Sequence, residues 1–377
     1  MVGLSAEERR RYQRHLILPE FGEEGQLRLK RAAVLLVGAG GLGSPAGLYL
    51  TAAGVGRVGL IDSDIVDASN LQRQVLFGDA DVGRLKVEAA RDRLAGLNRD
   101  VQIETHATRF SAANAADLLS RFDLVLDGTD NFASRYLIGD ACALHSIPLV
   151  QGSLFRFHGQ VALFHPPQGP CHRCLFPEPP DPSTAPDCAE AGVLGVIPGL
   201  IGTLMAAEAI KHLAGLGASL LGRLLRFDAL TMRCTELSVP RDPHCPLCSA
   251  HRTITTLQET TATCSPETLG AGSAGDITPH QLAARLFEAD PPFLLDVRET
   301  WEWDLGHLDG ATLIPIGDLP ERLEELPRDR EIVVYCKVGA RSDWAANFLR
   351  ARGFSNIRNL EGGIMAWMSE IDTEAGP

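Results

Sequence analysis

The sequence predicts an α/β protein with a mostly parallel sheet, a structural metal site and a second, smaller α/β domain. The prediction rests on three features. The apolar strand Ala32–Val37 runs into the glycine-rich turn Gly38–Gly43, and strands alternate with helical segments after it. Two Cys-x-x-Cys pairs, at 171–174 and 245–248, lie far apart in the chain. Near the C-terminus, an apolar strand delivers the lone Cys336 to a short loop before a helix.

Composition narrows the class of protein. The 377 residues suggest two to three domains, and a hydrophobic share of 45% is enough for packed cores. A net charge of -13 argues against nucleic acid as a partner. No run of roughly 18 apolar residues and no basic start before an apolar core occur, so neither a membrane span nor a signal peptide is predicted. Nine cysteines, four of them in Cys-x-x-Cys pairs, indicate metal and thiol chemistry in a reducing compartment, the cytoplasm.

Three segments follow from the order of the predicted elements: a first domain at 1–249, a flexible linker at 250–276 rich in Thr, Ser, Gly and Ala, and a second domain at 277–377. Within the first domain, the proline-rich stretch Pro166–Pro186 is predicted to form a long mobile loop. The predicted strands are 32–37, 57–61, 101–103, 124–126, 148–150, 160–164, 293–297 and 332–335. The predicted helices lie within 5–30, after Gly43, and near 86–96, 197–214, 278–288, 319–325 and 342–352.

The glycine turn indicates a nucleotide site of the Rossmann-like kind. Gly38, Gly40, Gly41 and Gly43 stand between a strand and a helix, where the backbone can approach a phosphate and free N–H groups meet it. Asp62 ends the next strand about 20 residues further along, where an acidic side chain can meet a ribose hydroxyl. By itself this motif is typical of NAD binding. The alternative without a ligand is that the glycines only permit tight packing of helix on strand.

Further polar residues favour a triphosphate over NAD. Arg73 and Lys86 bring two cations to the same face of the sheet, and Asn70 accompanies Arg73. Asp130 and Asn131 follow a strand, at the edge where such sheets bind ligands. A triphosphate with Mg²⁺ needs cations for its charge and a carboxylate for the metal. The predicted ligand of the first domain is therefore ATP with Mg²⁺.

Residues 8–250 resemble the ThiF/MoeB superfamily, the ubiquitin-activating-enzyme-like adenylyltransferases that act on sulfur-carrier proteins. The runs that carry the resemblance are Arg11-Tyr12-Gln13-Arg14-His15, Gly38–Gly43, Asn70-Leu71-Gln72-Arg73-Gln74, Lys86 and Asp127-Gly128-Thr129-Asp130-Asn131.

The resemblance implies specific roles. Asp62 binds the ribose, Arg73 and Lys86 grip phosphates, and Asp130 handles Mg²⁺ and the reacting phosphate. It further implies a homodimer, in which Arg14 reaches into the active site of the other subunit. Without the resemblance, Arg14 is a solvated helix charge.

The two Cys-x-x-Cys pairs predict a structural Zn²⁺ site. Cys171, Cys174, Cys245 and Cys248 offer two thiolates on each of two tight turns, which complete a four-sulfur shell with no open position. The alternatives are a redox dithiol or unrelated core cysteines, but a redox pair normally stands alone at a helix start. The resembling family places zinc at these knuckles.

Cys188 is a candidate travelling thiol. It lies in Pro186-Asp187-Cys188-Ala189-Glu190-Ala191-Gly192, and flexible flanks suit a thiol that must reach a substrate. The plain alternative is an exposed, incidental cysteine. In the resembling family, a cysteine in a matching Cys-x-Glu-Ala-Gly context attacks the adenylated carrier or resolves a persulfide on it. The other cysteines without motifs, Cys142, Cys234 and Cys264, are interpreted as core or linker residues.

Residues 277–370 resemble a rhodanese domain. The matching runs are Phe293–Glu299, Trp301-Glu302-Trp303, Gly306–Ala311 and Glu361–Trp367. Cys336 is the first residue of the loop Cys336–Arg341. The N–H groups of this loop and the dipole of the helix after it stabilise a thiolate or persulfide, as do the two cations Lys337 and Arg341. Asp296 and Arg298 are expected to pin loops. The alternative is a buried, inert cysteine; the six-residue loop suits a sulfur-sized substrate, since the related phosphatases carry a longer loop.

Together these features predict an adenylyltransferase and sulfurtransferase. ATP adenylates the C-terminal glycine of a ubiquitin-like sulfur carrier ending in Gly-Gly. Cys336, loaded by a cysteine desulfurase or thiosulfate, then supplies persulfide sulfur to give a thiocarboxylate. The fusion is similar to the molybdopterin-synthase type. Other carrier pathways (thiamine synthesis, tRNA thiolation, cysteine or secondary-metabolite sulfuration) stay open, as do a protein-conjugating activator, an NAD-dependent oxidoreductase and a non-catalytic scaffold.

Overall fold

The structure is a computed structural model that describes residues 3–179, 192–259, 276–288 and 290–372. The described residues divide into two compact units. The first unit comprises 3–179 with 192–259, and the second comprises the described residues from 276 onward.

Helices and strands alternate through most of both units. The helices are α1 (Ala6–Arg11), α2 (Gln13–Leu16), α3 (Gly22–Arg31), α4 (Gly43–Ala53), α5 (Lys86–Leu97), α6 (Ala112–Leu119), α7 (Phe132–His145), α8 (His172–Leu175), α9 (Val196–Ala214), α10 (Pro279–Leu286), α11 (Thr300–Asp304), α12 (Ala340–Ala351) and α13 (Gly363–Trp367). The strands are β1 (Ala33–Val37), β2 (Arg57–Ile61), β3 (Gln102–His106), β4 (Leu124–Asp127), β5 (Leu149–Phe155), β6 (His158–Phe164), β7 (Arg223–Asp228), β8 (Arg233–Ser238), β9 (Asp276–Ile277), β10 (Phe293–Asp296), β11 (Thr312–Leu313), β12 (Ile332–Tyr335) and β13 (Ile357–Leu360).

The first unit is built on an eight-stranded sheet in the order β3-β2-β1-β4-β5-β6-β7-β8. The five strands from β3 to β5 pair in parallel, and β6, β7 and β8 continue the sheet antiparallel. Every residue of β1 and β4 is buried, as expected for central parallel strands covered on both faces. The strand order changes direction at β1 and β4, and such a switch point is where open parallel sheets bind ligands.

Two apolar clusters cover the two faces of this sheet. One contains the buried faces of α4, α5 and α9, and the other contains those of α6 and α7. Helix α9 is long and apolar enough to span a membrane by length and composition alone, although the sequence suggested no such segment. Its residues Ile197, Ile201, Met205 and Ala209 are buried in the first cluster, where a core helix of a globular domain would place them.

The second unit is a five-stranded sheet in the order β11-β10-β12-β13-β9, with every pair parallel. Its helix α10 begins with a capping box, in which the Thr278 hydroxyl accepts from Gln281 N–H at 3.3 Å and Pro279 takes the first turn. Apolar clusters lie on both faces of the sheet, so this unit has its own core.

Most helices and strands begin and end within a few residues of the positions predicted from the sequence, but some elements differ from the prediction. The helical stretch 5–30 is three helices, because the turns at Tyr12 and Ile17–Phe21 interrupt it. Strands β7, β8, β9, β11 and β13 were not predicted; β9 and β11 are only two residues long, and β8 is wholly exposed and has no apolar pattern. The proline-rich stretch is described as far as residue 179 and contains α8, whereas residues 180–186 lie outside the described residues. Ile254, in the predicted linker, packs beside the paired cysteines; residues 260–275 lie outside the described residues.

Candidate active sites and metal centre

The glycine turn of the first unit packs backbone against backbone. The N–H of Gly38, which has a φ of +89°, donates to Ile61 O at 2.9 Å and so ties β1 to β2. A Cβ on Gly38 would lie 3.1 Å from Gly128 O, and one on Gly43 would lie 2.0 Å from Gly38 O. These two glycines therefore join the ends of β1 and β4 to the first turn of α4.

Gly40 and Gly41 differ from the packing glycines. A Cβ on Gly41 would meet Pro198 at 3.0 Å and the Cδ of Arg73 at 3.7 Å. A Cβ on Gly40 would find only the Gln74 side chain, at 3.6 Å. The packing interpretation thus applies to Gly38 and Gly43, whereas phosphate binding at Gly40, which has space beside it, stays a prediction.

Asp62 holds the turn from the end of β2. Its Oδ2 accepts from the N–H of Ala39 at 2.8 Å, and its Oδ1 accepts from the N–H of Asp64 at 2.9 Å. Burial raises the pKa of Asp62, while these N–H groups and the charge of Lys86 oppose that shift. A carboxylate has about four acceptor sites, so Asp62 keeps capacity for a further donor such as a ribose hydroxyl.

The two predicted cations lie on the Asp62 and Gly41 sides of the turn. The Nζ of Lys86, which is 6% exposed, donates to the Asp64 carboxylate at 2.8 Å. Arg73 is half-buried beside Gly41, and its Nη1 donates to Ser69 O at 3.1 Å. The 3₁₀ turn Ala68–Asn70 comes shortly before Arg73, and the side chain of Asp67 at its start accepts from Ser69 N–H.

The end of β4 presents one exposed and one buried carboxylate. Asp130 is exposed, and Asn131 caps α7 by accepting from Ser134 N–H at 2.9 Å. Asp127, which was not among the predicted site residues, is fully buried and accepts from Thr129 and Gln151. Burial raises its pKa, so these donors and a neighbouring arginine are what favour its charged form. Its position directly before the Gly-Thr-Asp-Asn run was the available signal.

Arg14 and Cys188 are the predicted site residues about which this structure says least. Arg14 lies exposed on α2, and within the described part of the chain no hydrogen bond or ion pair of its side chain is seen. Cys188 lies outside the described residues.

The four paired cysteines converge into one cluster. Their sulfur atoms all lie within 4.8 Å of one another, with Cys171 at 3.5 Å from Cys245 and Cys174 at 3.4 Å from Cys248. Four sulfurs bound to one zinc at about 2.3 Å would stand about 3.8 Å apart. The donor set and its spacing therefore fit a tetrahedral metal, and the cluster could hold one.

Contacts around the cluster favour a thiolate at Cys174. The N–H of Asp242 donates to Cys174 Sγ at 3.4 Å. The pKa of Cys174 is lowered to about 5, chiefly by the thiol of Cys171, whose own pKa is raised by that contact and by burial. Residues Leu247 and Ile254 pack against the cluster. His172 is buried among aromatic rings and His244 is exposed.

Cys336 of the second unit lies at the end of β12 and is 1% exposed. Its Sγ accepts from the N–H of Gly339 at 3.1 Å and faces the Ser342 hydroxyl at 3.4 Å. Helix α12 begins at Ala340, two residues earlier than predicted, so Arg341 lies in its first turn. The thiol is buried with an N–H and an O–H group facing it, unlike a core cysteine in apolar surroundings, and its reactivity stays a prediction.

Two pairs of charges support this loop. Arg341 donates through both Nη atoms to the carboxylate of Glu302 at 2.7 Å, and Glu302 is 6% exposed. Burial raises the pKa of Glu302, but the pairing outweighs it and the net shift is downward. Asp296 and Arg298 form a buried pair at 2.7 Å, and Arg298 also donates to Gly306 O, so these two residues pin loops as predicted. Glu302 was missed; an acid between two tryptophans was the signal.

The first turn of α13 closes over the Cys336 loop, an arrangement we call the clasp. The N–H of Ile364 donates to Cys336 O at 2.9 Å, and the N–H of Met365 donates to Lys337 O at 3.1 Å. Gly363, at a φ of +61°, permits the approach, since a Cβ there would lie 2.5 Å from Cys336 O.

The remaining described cysteines do not join these sites. Cys142 is buried in the core, where burial raises the pKa of its thiol. Cys234 is exposed on β8, so it is neither a core nor a linker residue. Cys264 lies outside the described residues.

Family comparisons agree with both halves of this description. The ThiF family matches residues 12–247, and the rhodanese-like domain matches residues 278–370. One bacterial and one animal relative each align along 98% of the chain. The probable adenylyltransferase/sulfurtransferase MoeZ of Mycobacterium tuberculosis is 46% identical, and the alignment covers 95% of its length. The adenylyltransferase and sulfurtransferase MOCS3 of Bos taurus is 43% identical, and the alignment covers 88% of its length. The sulfur carrier protein adenylyltransferase of Thermus thermophilus is 51% identical over 68% of this chain and 97% of its own.

Solved structures support the fold of the first unit. A crystal structure of MccB from E. coli shares it with a TM-score of 0.56 and 21% identity, covering 65% of this chain and 75% of that one. The two matched domains define a class of fused enzymes, adenylyltransferases that carry a sulfurtransferase domain. The chain belongs to the ThiF family and is an enzyme of that class, with ATP use implied by the family.

Proposed function

We propose that the protein adenylates the C-terminal glycine of a ubiquitin-like sulfur carrier with ATP and then converts it into a thiocarboxylate with persulfide sulfur from Cys336. The observation that carries the proposal is the coexistence in one chain of two unlike sites. One is a glycine turn with cations beside it, and the other is a buried thiol on which N–H and O–H donors converge. The Thermus thermophilus relative, named for a sulfur carrier protein, supports the choice of substrate.

In the adenylation step, Asp62 holds the ribose and the open backbone at Gly40 admits the phosphates. Arg73 and Lys86 neutralise phosphate charge as pyrophosphate leaves. Exposed Asp130, with Asn70 and Asn131 beside the phosphates, is the group available for Mg²⁺, which proteins usually bind with one or two carboxylates plus substrate phosphates. When bound, Mg²⁺ supplies charge that stabilises the departing pyrophosphate.

We further propose that Cys171, Cys174, Cys245 and Cys248 hold a structural Zn²⁺. All four positions of a tetrahedral metal are then filled by protein sulfur, so the metal has no place for substrate. Arg14, exposed on α2, is proposed to complete the active site of a partner subunit in a homodimer.

In the sulfur step, a cysteine desulfurase or thiosulfate loads Cys336. The outer sulfur of the persulfide attacks the acyl-adenylate carbonyl, AMP leaves, and an acyl disulfide links the carrier to Cys336. Attack of Cys188 on the Cys336 sulfur then releases the thiocarboxylate and leaves a protein disulfide, which an external thiol reduces. The alternative use of Cys188 is to form an acyl thioester first.

The favoured setting is molybdenum cofactor biosynthesis in the cytoplasm, without nucleic acid or membrane partners. Carrier activation for tRNA thiolation, thiamine, cysteine or secondary-metabolite sulfuration is the competing assignment. An NAD-dependent oxidoreductase lacks support, since the charges beside the glycine turn suit a triphosphate better.

The test is ATP–pyrophosphate exchange with a panel of small carriers ending in Gly-Gly, followed by mass analysis of the carrier C-terminus. We expect exchange with one carrier, and a thiocarboxylate when thiosulfate is added. Cys336→Ala should keep exchange and lose the thiocarboxylate, because only the sulfur step uses that thiol.

Cys234→Ala is the matched control, since it removes an exposed cysteine outside both sites and should behave as the parent protein. Full thiocarboxylate formation by Cys336→Ala would remove Cys336 from the mechanism. Tight NAD binding without exchange for any carrier would favour the oxidoreductase.

A further inference from the structure

Arg135 is a buried cation that the adenylation mechanism above does not use. It lies in the first turns of α7 and is 9% exposed. Its Nε and Nη2 donate to the carbonyl oxygen of Thr129 at 3.4 and 3.1 Å, and its guanidinium lies 5.8 Å from the ring of Phe132. Thr129 is the residue directly before Asp130, so Arg135 holds the peptide that sets where Asp130 points.

The same loop is held from below by Asp127. Its Oδ1 accepts from the N–H of Thr129 at 2.9 Å and from the Thr129 hydroxyl at 2.6 Å, while Gln151 donates to Oδ2 at 2.9 Å. Burial disfavours the ionised form of Asp127, and the charge of Arg135 offsets part of that effect. Thr129 is therefore fixed through its N–H and hydroxyl by Asp127 and through its carbonyl by Arg135.

The helix that carries Arg135 is itself fixed from behind. A Cβ on Gly139 would lie 2.9 Å from His172, and the rings of Tyr136 and His172 are 4.7 Å apart. Arg173 pairs with Asp140 through two hydrogen bonds of 2.7 and 2.8 Å. Arg135 consequently acts from a rigid base, which is what a group that orients a neighbour requires.

We infer that Arg135 is a positioning residue for adenylation: it fixes the Thr129 carbonyl and thereby aims the Asp130 carboxylate at the metal–nucleotide complex. The inference rests on the proposed function, in which Asp130 serves Mg²⁺. Arg135 itself touches neither substrate nor metal. Loss of its two hydrogen bonds lets the peptide before Asp130 rotate, so binding that depends on Mg²⁺ weakens more than binding of the nucleotide itself.

The experiment compares Arg135→Gln with the parent protein by calorimetric titration of ATP, at limiting and at saturating Mg²⁺ and without carrier. We expect affinity about tenfold weaker at limiting Mg²⁺, the equivalent of about one hydrogen bond, and recovery at saturating Mg²⁺. Arg135→Lys keeps the charge and a donor and should recover part of the loss.

Arg57→Gln is the matched control. Arg57 also donates to a backbone carbonyl, that of Arg121, and also lies over a phenylalanine, Phe122, but at the opposite, amino end of the strands. It should leave the Mg²⁺ dependence unchanged. Circular dichroism then confirms that each variant is folded at the temperature of the titration.

The outcomes separate this inference from the proposed function. Equal affinities of folded Arg135→Gln and parent protein at both Mg²⁺ levels, or an equal loss at both, would overturn the positioning role. Because the titration needs no carrier, failure of carrier-dependent exchange with normal ATP binding would count against the proposed function alone.

Discussion

At the residue scale, the glycines of the turn after β1 fall into two kinds that the motif does not distinguish. A Cβ on Gly43 would overlap backbone and one on Gly38 would be tight against it at a positive φ, whereas Gly40 faces open space apart from the Gln74 side chain. A substitution at one kind tests folding, and a substitution at the other tests ligand binding.

We therefore predict opposite effects for Gly40→Ala and Gly43→Ala. Gly40→Ala should change the free energy of unfolding by less than about 1 kcal/mol and weaken ATP binding about tenfold, because its methyl group enters the space for phosphate. Gly43→Ala should lose about 3 kcal/mol of stability, because its Cβ would overlap Gly38 O. Urea denaturation and calorimetric titration measure the two quantities. Unchanged ATP affinity in Gly40→Ala would mean that this face of the turn does not meet the nucleotide.

At the scale of elements, α7 joins the two chemical features of the first unit. Its N-terminus carries Asp130 and Asn131, and its middle packs on α8, which is capped by Cys171 and contains Cys174 of the first knuckle. The contact includes an ion pair, in which the side chain of Arg173 is 12% exposed and that of Asp140 is 8% exposed. Breaking a buried pair by removing one partner is costly, since the other charge stays buried.

Asp140→Asn should therefore destabilise the first unit by about 3 kcal/mol and lower its thermal midpoint by about 6–12 °C. It should also speed transfer of metal to a chelator, because α8 loses an anchor. Scanning calorimetry and a chromogenic chelator measure the two effects. The control is Glu24→Gln, which breaks an exposed pair with Arg28 and should cost less than about 1 kcal/mol. Similar thermal midpoints for Asp140→Asn and Glu24→Gln would show that the Asp140–Arg173 ion pair contributes little to the stability of the first unit.

At the scale of the whole molecule, the two units have separate cores, and only the first holds the four-cysteine cluster. We predict that chelation, or Cys174→Ala, lowers the thermal midpoint of the first unit by about 10 °C or more, since a structural metal contributes directly to folding. The midpoint of the second unit should stay where it was. Calorimetry detects both transitions, and protection of Cys336 from alkylation assigns the second. A joint shift of both transitions would show that the units unfold together.

How well a feature could be predicted depends on how far apart in the sequence its residues lie. The turn at Gly38–Gly43, Asp62 after β2 and Cys336 after β12 were predictable because strand, turn and side chain are neighbours in the chain. The Cys-x-x-Cys pairs were predictable because ligand chemistry fixes their number and type. Their convergence within 4.8 Å agrees with that expectation.

Residues whose partners are remote in sequence were not predictable in the same way. The pairs Arg341–Glu302 and Arg173–Asp140 join separate elements, so neither pairing follows from residues that are neighbours in the chain. Arg135 was not among the predicted site residues, since its role depends on its burial and on its hydrogen bonds to Thr129 O. The exposed strand β8 lacks the apolar alternation by which strands are identified. The domain boundaries and the duties of the site residues stay predictions.

The clasp over the Cys336 loop restricts how this enzyme could be redesigned. The carbonyl oxygens of Cys336 and Lys337 at the start of the loop already accept hydrogen bonds from N–H groups of α13. Gly363 lies so close to the loop that a Cβ there would collide with Cys336 O. An engineer who inserts a residue to admit a phosphate-sized anion would pull Lys337 O away from Met365 N–H. Loop and helix would have to be grafted as one module, even though α12 and β13 come between them in the sequence.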